Sequence, residues 1–256
     1  MHDPHVVSLQ YKLETGTTVS FYNPPAVNDE TDTFRLKLEN SKVTVDLKHH
    51  FASVEAARCV VDAYLLAWEL DVALRFGRKE IKFIFEDAEV IDRDPPPSGS
   101  PMTIQVSGIA SATAFGTATI SAARREYPSP PKYFRVNPDV DTLWHRFEGY
   151  SQGREPLLAM AYFCLTLLEA RAGGRKNAEK QYRIQKAVLD KLGELTANRG
   201  DEKTARKLKK ASPPAPLTPA EARRIEVAIK AIIWRVGEMG TNPSLAVIGM
   251  SDLPKI

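Results

Sequence analysis

Residues 151–256 contain no histidine, and the entire chain has only two cysteines, Cys59 and Cys164, both inside apolar helical patterns. Two cysteines make no disulfide framework. The expected state of both thiols is free and buried, in a reducing cytoplasm. Long hydrophobic runs are missing too. The longest strongly apolar stretch, Pro156 to Leu168, spans 13 residues, short of the ~20 that a membrane-crossing helix needs. The opening Met1-His2-Asp3-Pro4-His5 has no basic segment leading into an apolar one, so no signal peptide is expected. Neither GxxxxGK[ST] nor GxGxxG occurs, which removes the common phosphate-binding loops. Zinc-finger, RNA-recognition and KH signatures are absent, and no internal repeat is seen.

What is present is ordinary globular material. The 256 residues are 43% hydrophobic and 26% charged, enough for one large domain or two smaller ones, each with a core. The net charge of +3 hides a split. Residues 151–256 carry 19 Lys+Arg against 11 Asp+Glu, whereas residues 1–150 carry 16 against 21. The two halves can attract each other or different partners.

The first half reads as strands. Val7, Leu9, Tyr11 and Leu13 alternate with polar residues, Val19 to Tyr22 is a second candidate, and Asn23-Pro24-Pro25 breaks it. Phe34, Leu36, Leu38 and Val43, Val45, Leu47 flank Asn40-Ser41 and predict a hairpin. Ser53 as N-cap and Gly77 as stop bracket a helix over 53–76, with Ala57, Val60, Val61, Tyr64, Leu65, Trp68 and Val72 inward and an Asp71/Arg75 i,i+4 pair. Ile81, Phe83 and Phe85 resume strand periodicity. Asp92 to Pro101 is a loop, and Met102 to Ala123 reads as two more strands.

After Pro128-Ser129-Pro130-Pro131 the period becomes helical. Asn137-Pro138 starts a helix with Val140, Leu143, Trp144 and Phe147 inward. Glu155-Pro156 starts one that is apolar almost all round, hence central to a bundle. A single helix is expected from about Asn177 to Ala197, then a short basic helix from Glu202 to Lys210. The last helix has the capping box Thr218-x-x-Glu221, Pro219 at its first position and Gly240 as its stop.

Six features carry a possible chemistry. Arg171 to Lys210 holds 13 Lys+Arg and 5 acids. Within it Arg175, Lys176, Lys180, Arg183 and Lys186 form one group, and Lys203, Arg206, Lys207, Lys209 and Lys210 another. Such groups attract phosphate backbones through counterion release, but Tyr182 is the only aromatic there to stack bases. The plainer reading is a solvated helix face and a basic loop. Asp92-Arg93-Asp94 has the i,i+2 carboxylates of a divalent-cation site, yet three prolines follow and a charged loop exit accounts for it. Glu80-Ile81-Lys82 matches a fragment of a nuclease metal site, but alternation alone places polar, solvent-facing residues at 80 and 82. His49-His50 lacks a third ligand at a recognised spacing. His145 beside Trp144 reads as a surface or core-edge residue. Ser98-Gly99-Ser100 lies in a proline loop and not in a strand–turn–helix elbow.

From Pro138 onward the chain resembles the HEPN-type bundles of prokaryotic defence and toxin–antitoxin systems. The likeness lies in the hydrophobic central helix Glu155-Pro156-Leu157-Leu158-Ala159-Met160-Ala161-Tyr162-Phe163, the basic helical hairpin after it and the β-rich segment before it. Ribonucleases of that family use an Arg followed closely by a His. Residues 151–256 have no His, so the resemblance implies a catalytically silent, bacterial-type member, and no catalytic residue is carried over.

The expected fold is therefore α+β. Residues 1–135 form an antiparallel sheet of six or seven strands with the covering helix 53–76, and residues 138–256 form a helical bundle of four or five helices. Two separate domains and one packed unit are both compatible with this pattern. The expected function is a non-catalytic interaction or regulatory role in the cytoplasm, with a protein partner, without cofactor, metal or membrane, and compatible with homo-oligomerisation. A nucleic-acid-associated role for the 171–210 surface is one alternative, and a metal-dependent enzyme using acidic-half carboxylates such as Asp92 and Asp94 is another.

Overall fold

The computed structural model describes residues 3–16, 19–76, 80–94, 104–105, 122–200 and 215–256. It divides into two compact units, 1–132 and 133–256. The α+β class holds, with sheet in the first and helices in the second.

The first unit is built on strands β1 (Pro4–Thr15), β3 (Val27–Glu30), β4 (Phe34–Glu39), β5 (Lys42–Leu47), β6 (Ile81–Asp92) and β7 (Ile104–Gln105), in the order β3-β4-β5-β1-β6-β7. The pairing is antiparallel throughout. The hairpin between β4 and β5 turns through Asn40 and Ser41, both at positive φ (51° and 61°). Two left-handed residues match the strand twist, the geometry a two-residue hairpin favours. The candidate strand at Val19 is β2 (Val19–Phe21). It leaves the main sheet and pairs in parallel with β8 (Ala122–Arg124). Most of the 102–123 region predicted as strand lies outside the described residues, as does Gly77.

One helix, α1 (Val54–Phe76), covers the sheet. Ser53 caps it through Oγ, which accepts from the Ala56 amide at 3.2 Å. Trp68, Val61, Val72 and Ala57 fill the layer beneath, against Leu9, Val43, Val45, Leu36 and Leu38. Polar contacts fix the helix in place. The Tyr11 hydroxyl donates to Asp62 at 2.6 Å, Glu69 accepts the Phe83 amide at 2.7 Å, and the Trp68 indole donates to the Pro128 carbonyl at 3.1 Å. The predicted Asp71–Arg75 pair forms at 2.7 Å with Asp71 fully buried.

Three expectations are corrected here. Val6, rather than Val7, continues the buried line of β1, because a bulge at Val7 shifts the register and reverses the phase of the alternation. Val60 and Cys59 lie on the outer side of α1 and are exposed, so Cys59 is not a core thiol. Glu80 is buried, not solvent-facing. It precedes β6 and pairs with Arg124 at 2.9 Å, outside the strand alternation that predicted its exposure.

The second unit contains α2 (Pro138–Ser151), α3 (Leu157–Ala172), α4 (Arg175–Tyr182), α5 (Lys186–Asn198) and α6 (Pro219–Glu238). Asn137 caps α2 as read, accepting from the Asp139 and Val140 amides. Helix α3 packs against α2, α4, α5 and α6, and no residue from Leu157 to Glu169 is fully exposed. The α6 capping box is complete. Gly237 lies where α6 meets the Phe134 ring, and a Cβ there would overlap that ring and press on the Arg135 carbonyl.

The single helix predicted over 177–197 is two. Arg183 adopts a left-handed conformation (φ 51°). Ile184 is then drawn into a bridge with Ile248, sealed by Ile248 N–H to Arg183 O at 2.9 Å and Gln185 N–H to Ile248 O at 2.8 Å. Burial of both Tyr182 and Ile184 rewards the break. The predicted helix from Glu202 to Lys210 lies outside the described residues.

Leu165 sits at the centre of this unit with 1% of its surface exposed. Leu165→Ala should destabilise the protein by ~2–5 kcal/mol. Chemical denaturation measures it, and a loss under ~1 kcal/mol would contradict a closed core around α3.

Candidate functional site

The basic stretch separates into two kinds of cation. Arg171 is bound to Asp139 of α2 at 2.8 Å, and Lys191 to Glu194 at 2.9 Å. Arg175 bridges Glu169 at 2.6 Å and Asp190 at 3.0 Å, and Lys186 shares Asp190 at 2.6 Å. Burial opposes the Arg175 charge, but hydrogen bonds to Glu169 and Asp190 outweigh it and hold the guanidinium above its ordinary pKa. Lys186 and then Arg175 hold Asp190 below the usual carboxylate range. Arg199 reaches Glu221 at 2.9 Å. Glu221 is depressed first by the Thr218 backbone hydrogen bond, with Arg199 adding to it. Arg175 is thus a rivet between α3, α4 and α5.

Lys176, Lys180 and Arg183 remain exposed, with no ion pair among the described residues. Lys176 and Lys180 are four apart on α4, so they share a face. Lys203, Arg206, Lys207, Lys209 and Lys210 lie outside the described residues, as does Ser98-Gly99-Ser100.

The acidic candidates are also engaged. Asp92 Oδ1 accepts from the amides of Asp3 at 3.1 Å and Asp94 at 3.0 Å, stapling the end of β6. Among the described residues no group of three or more His, Cys, Asp or Glu is arranged to hold a metal ion.

A cleft that sequence reasoning missed opens between α2 and α3. It has a volume of about 610 Å³ and is lined by His145, Arg146, Gly149, Arg154, Glu155, Pro156 and Ala159. Arg146 is held at two points. Its Nη1 donates to Glu155 at 3.2 Å, and its guanidinium lies 4.1 Å from the centre of the Phe163 ring. Arg154 is exposed, with its Nε donating to Gln152 at 3.0 Å. His145 is exposed on the rim. Gly149 faces Glu155, whose carboxylate oxygen would be in ordinary contact, 3.7 Å, with a Cβ there. The cleft therefore presents charges of both signs, with Arg146 backed by the Phe163 ring. The sequence signal was available: His145, Arg146, Arg154 and Glu155 flank one helix–helix turn.

Compared with protein-family models, curated proteins and solved structures, the chain matches none. Among the described residues no single helix is long and apolar enough to cross a membrane.

The thiols differ sharply. Burial, with Glu155 adding to it, pushes the Cys164 thiol up to about 12, whereas Cys59 is exposed. In native protein at pH 8 a thiol reagent should label one cysteine fast and the other only in denaturant. Cys59→Ser should abolish the fast phase. Rapid labelling that survives this substitution would contradict the burial of Cys164.

Proposed function

We propose that this is a non-catalytic interaction protein of the cytoplasm, whose HEPN-like helical unit grips a polypeptide partner at the α2–α3 cleft. The observation that carries this reading is Arg146, pinned between Glu155 and the Phe163 ring at the wall of that hollow. A guanidinium already ordered by stacking and pairing loses little freedom on binding. Arg146 and Arg154 suit carboxylates of a partner, and Glu155 suits a partner's lysine or arginine. Mixed signs fit a polypeptide better than a polyphosphate, for which Glu155 is repulsive. Catalysis is not favoured by the surroundings: buried Glu80, Glu221 and Asp71 each face a guanidinium in a structural contact.

The second reading is an accessory role on nucleic acid, favoured by the exposed Lys176, Lys180 and Arg183 around α4. It requires weak, sequence-independent and steeply salt-dependent binding.

A random peptide library displayed on phage, selected on the whole protein and counter-selected on the Arg146→Ala/Arg154→Ala variant, separates the two. The first reading expects enriched peptides carrying Asp or Glu whose synthetic versions bind the variant at least about tenfold more weakly, a difference of 1.4 kcal/mol or more. The variant's melting temperature serves as the folding control. Peptides that bind both proteins equally would reject the cleft. A 20-nucleotide duplex that binds at 50 mM salt, and loses affinity when Lys176, Lys180 and Arg183 are neutralised, would favour the second reading.

A further inference from the structure

We infer that His5 and His50 form a pH-sensitive latch that fastens the start of β1 to the segment leading into α1. His5 is only 8% exposed, and His50 lies in the connector between β5 and α1. The rings stack with centroids 5.2 Å apart and planes 18° apart, and the two Nδ1 atoms are 3.2 Å from each other. Two ring nitrogens at that distance share one hydrogen, so one ring donates and the other accepts. His50 Nε2 is 3.5 Å from Asp3 Oδ1. A hydrogen on that nitrogen, facing the carboxylate, leaves His50 Nδ1 as the acceptor for His5 Nδ1–H. The chain of contacts then runs Asp3–His50–His5.

The surroundings oppose a charge on His5. From the end of β6, Arg93 approaches with its amide donating to the Asp3 carbonyl at 2.9 Å, and Asp92 holds the Asp3 amide at 3.1 Å. From the connector, His49 is exposed and Lys48 is turned away to Glu30 at 2.6 Å. From the first turn of α1, Glu55 is exposed. Burial, then Arg93 and His50, lower the His5 pKa, while Asp3 opposes them. A proton on His5 places charge on a buried ring that faces Arg93, so proton uptake there works against the closed contact.

The mechanical consequence is local. The Val6 amide donates to the Phe51 carbonyl at 3.0 Å, joining the same two segments as the histidine contact. The folded state depresses the His5 pKa, so the latch contributes fully above the ordinary imidazole value of ~6.5 and weakens as pH falls below it. Acid should therefore part residues 3–6 from 48–53 while the rest of the sheet stays closed.

Hydrogen exchange read by mass spectrometry, in EDTA at pH 7.5 and 5.0 and corrected for the intrinsic pH dependence of exchange, tests this on the whole protein. The expected result is a measurable loss of protection at the lower pH in peptides spanning 3–10 and 48–54. Strands β4 and β5 should not change. His5→Phe keeps a ring in the stack but cannot titrate, and it should abolish the pH dependence. His50→Phe removes the acceptor for His5 and should diminish the pH dependence, and it stands in if the first variant fails to fold. Equal protection at both pH values in the unmodified protein would overturn the latch. So would an undiminished acid effect in either folded variant.

Discussion

The helical unit depends on one buried guanidinium. Arg235, on α6, is 6% exposed and points its fork at backbone carbonyls. Nη1 donates to the Tyr182 carbonyl at 2.8 Å and the Arg183 carbonyl at 3.1 Å, and Nη2 to the Ala246 carbonyl at 2.7 Å. The first two carbonyls lie at the break between α4 and α5, where the Arg183 carbonyl also accepts from the Ile248 amide at 2.9 Å, and the third belongs to the segment after α6. Burial works against the Arg235 charge, and Glu238 at 3.9 Å offsets part of that cost. No other side chain carries enough donors in a rigid plane to close three carbonyls at once. About three turns earlier on α6, Arg224 does related work, donating to the Pro254 carbonyl at 2.5 Å and contacting Met250 Sδ at 3.1 Å. Helix α6 is thus the spine to which the helix break and the C-terminal segment are tied.

The same logic explains why most charged residues of the basic stretch are poor candidates for a binding surface. A cation that already bridges two helices, as Arg175 does, cannot leave its carboxylates without exposing them to repulsion and loosening the bundle. Arg146 differs because its anchors leave it at the wall of an open hollow. A residue held rigid but still accessible is what recognition needs, and that separates the cleft from the rivets around it.

Much of the fold was legible because local signals agreed. The α4–α6 stretch shows both outcomes. Thr218, Pro219 and Glu221 specify the start of α6 by capping chemistry that needs no tertiary partner, and the structure reproduces it. Nothing local marks the break at Arg183, because its cause is Ile248 and Arg235, more than fifty residues away in sequence. Lys186–Asp190 could be read from i,i+4 spacing, whereas Arg171–Asp139 and Arg199–Glu221 are tertiary and could not. Cys59 shows the limit of periodicity: its neighbours Ala57 and Val61 are buried, and a wide apolar stripe does not say where the buried face ends. The edge strand β3 was missed because Val27-Asn28-Asp29-Glu30 is nearly all polar. Asp29 is inward-facing and bound by the Tyr64 hydroxyl, a charge of the kind that discourages edge-to-edge pairing.

Buried charge in the helical unit is structural, and Arg235 is its keystone. Equilibrium denaturation of Arg235→Leu and Arg235→Lys tests it most directly. The leucine variant leaves the Tyr182 and Ala246 carbonyls without their donor and the Arg183 carbonyl with the Ile248 amide alone; an unsatisfied buried carbonyl costs ~1–3 kcal/mol, so a loss above ~2 kcal/mol is expected. Lysine keeps the charge but not the fork, and should recover only part of that loss. A leucine variant within ~1 kcal/mol of the parent would contradict the account.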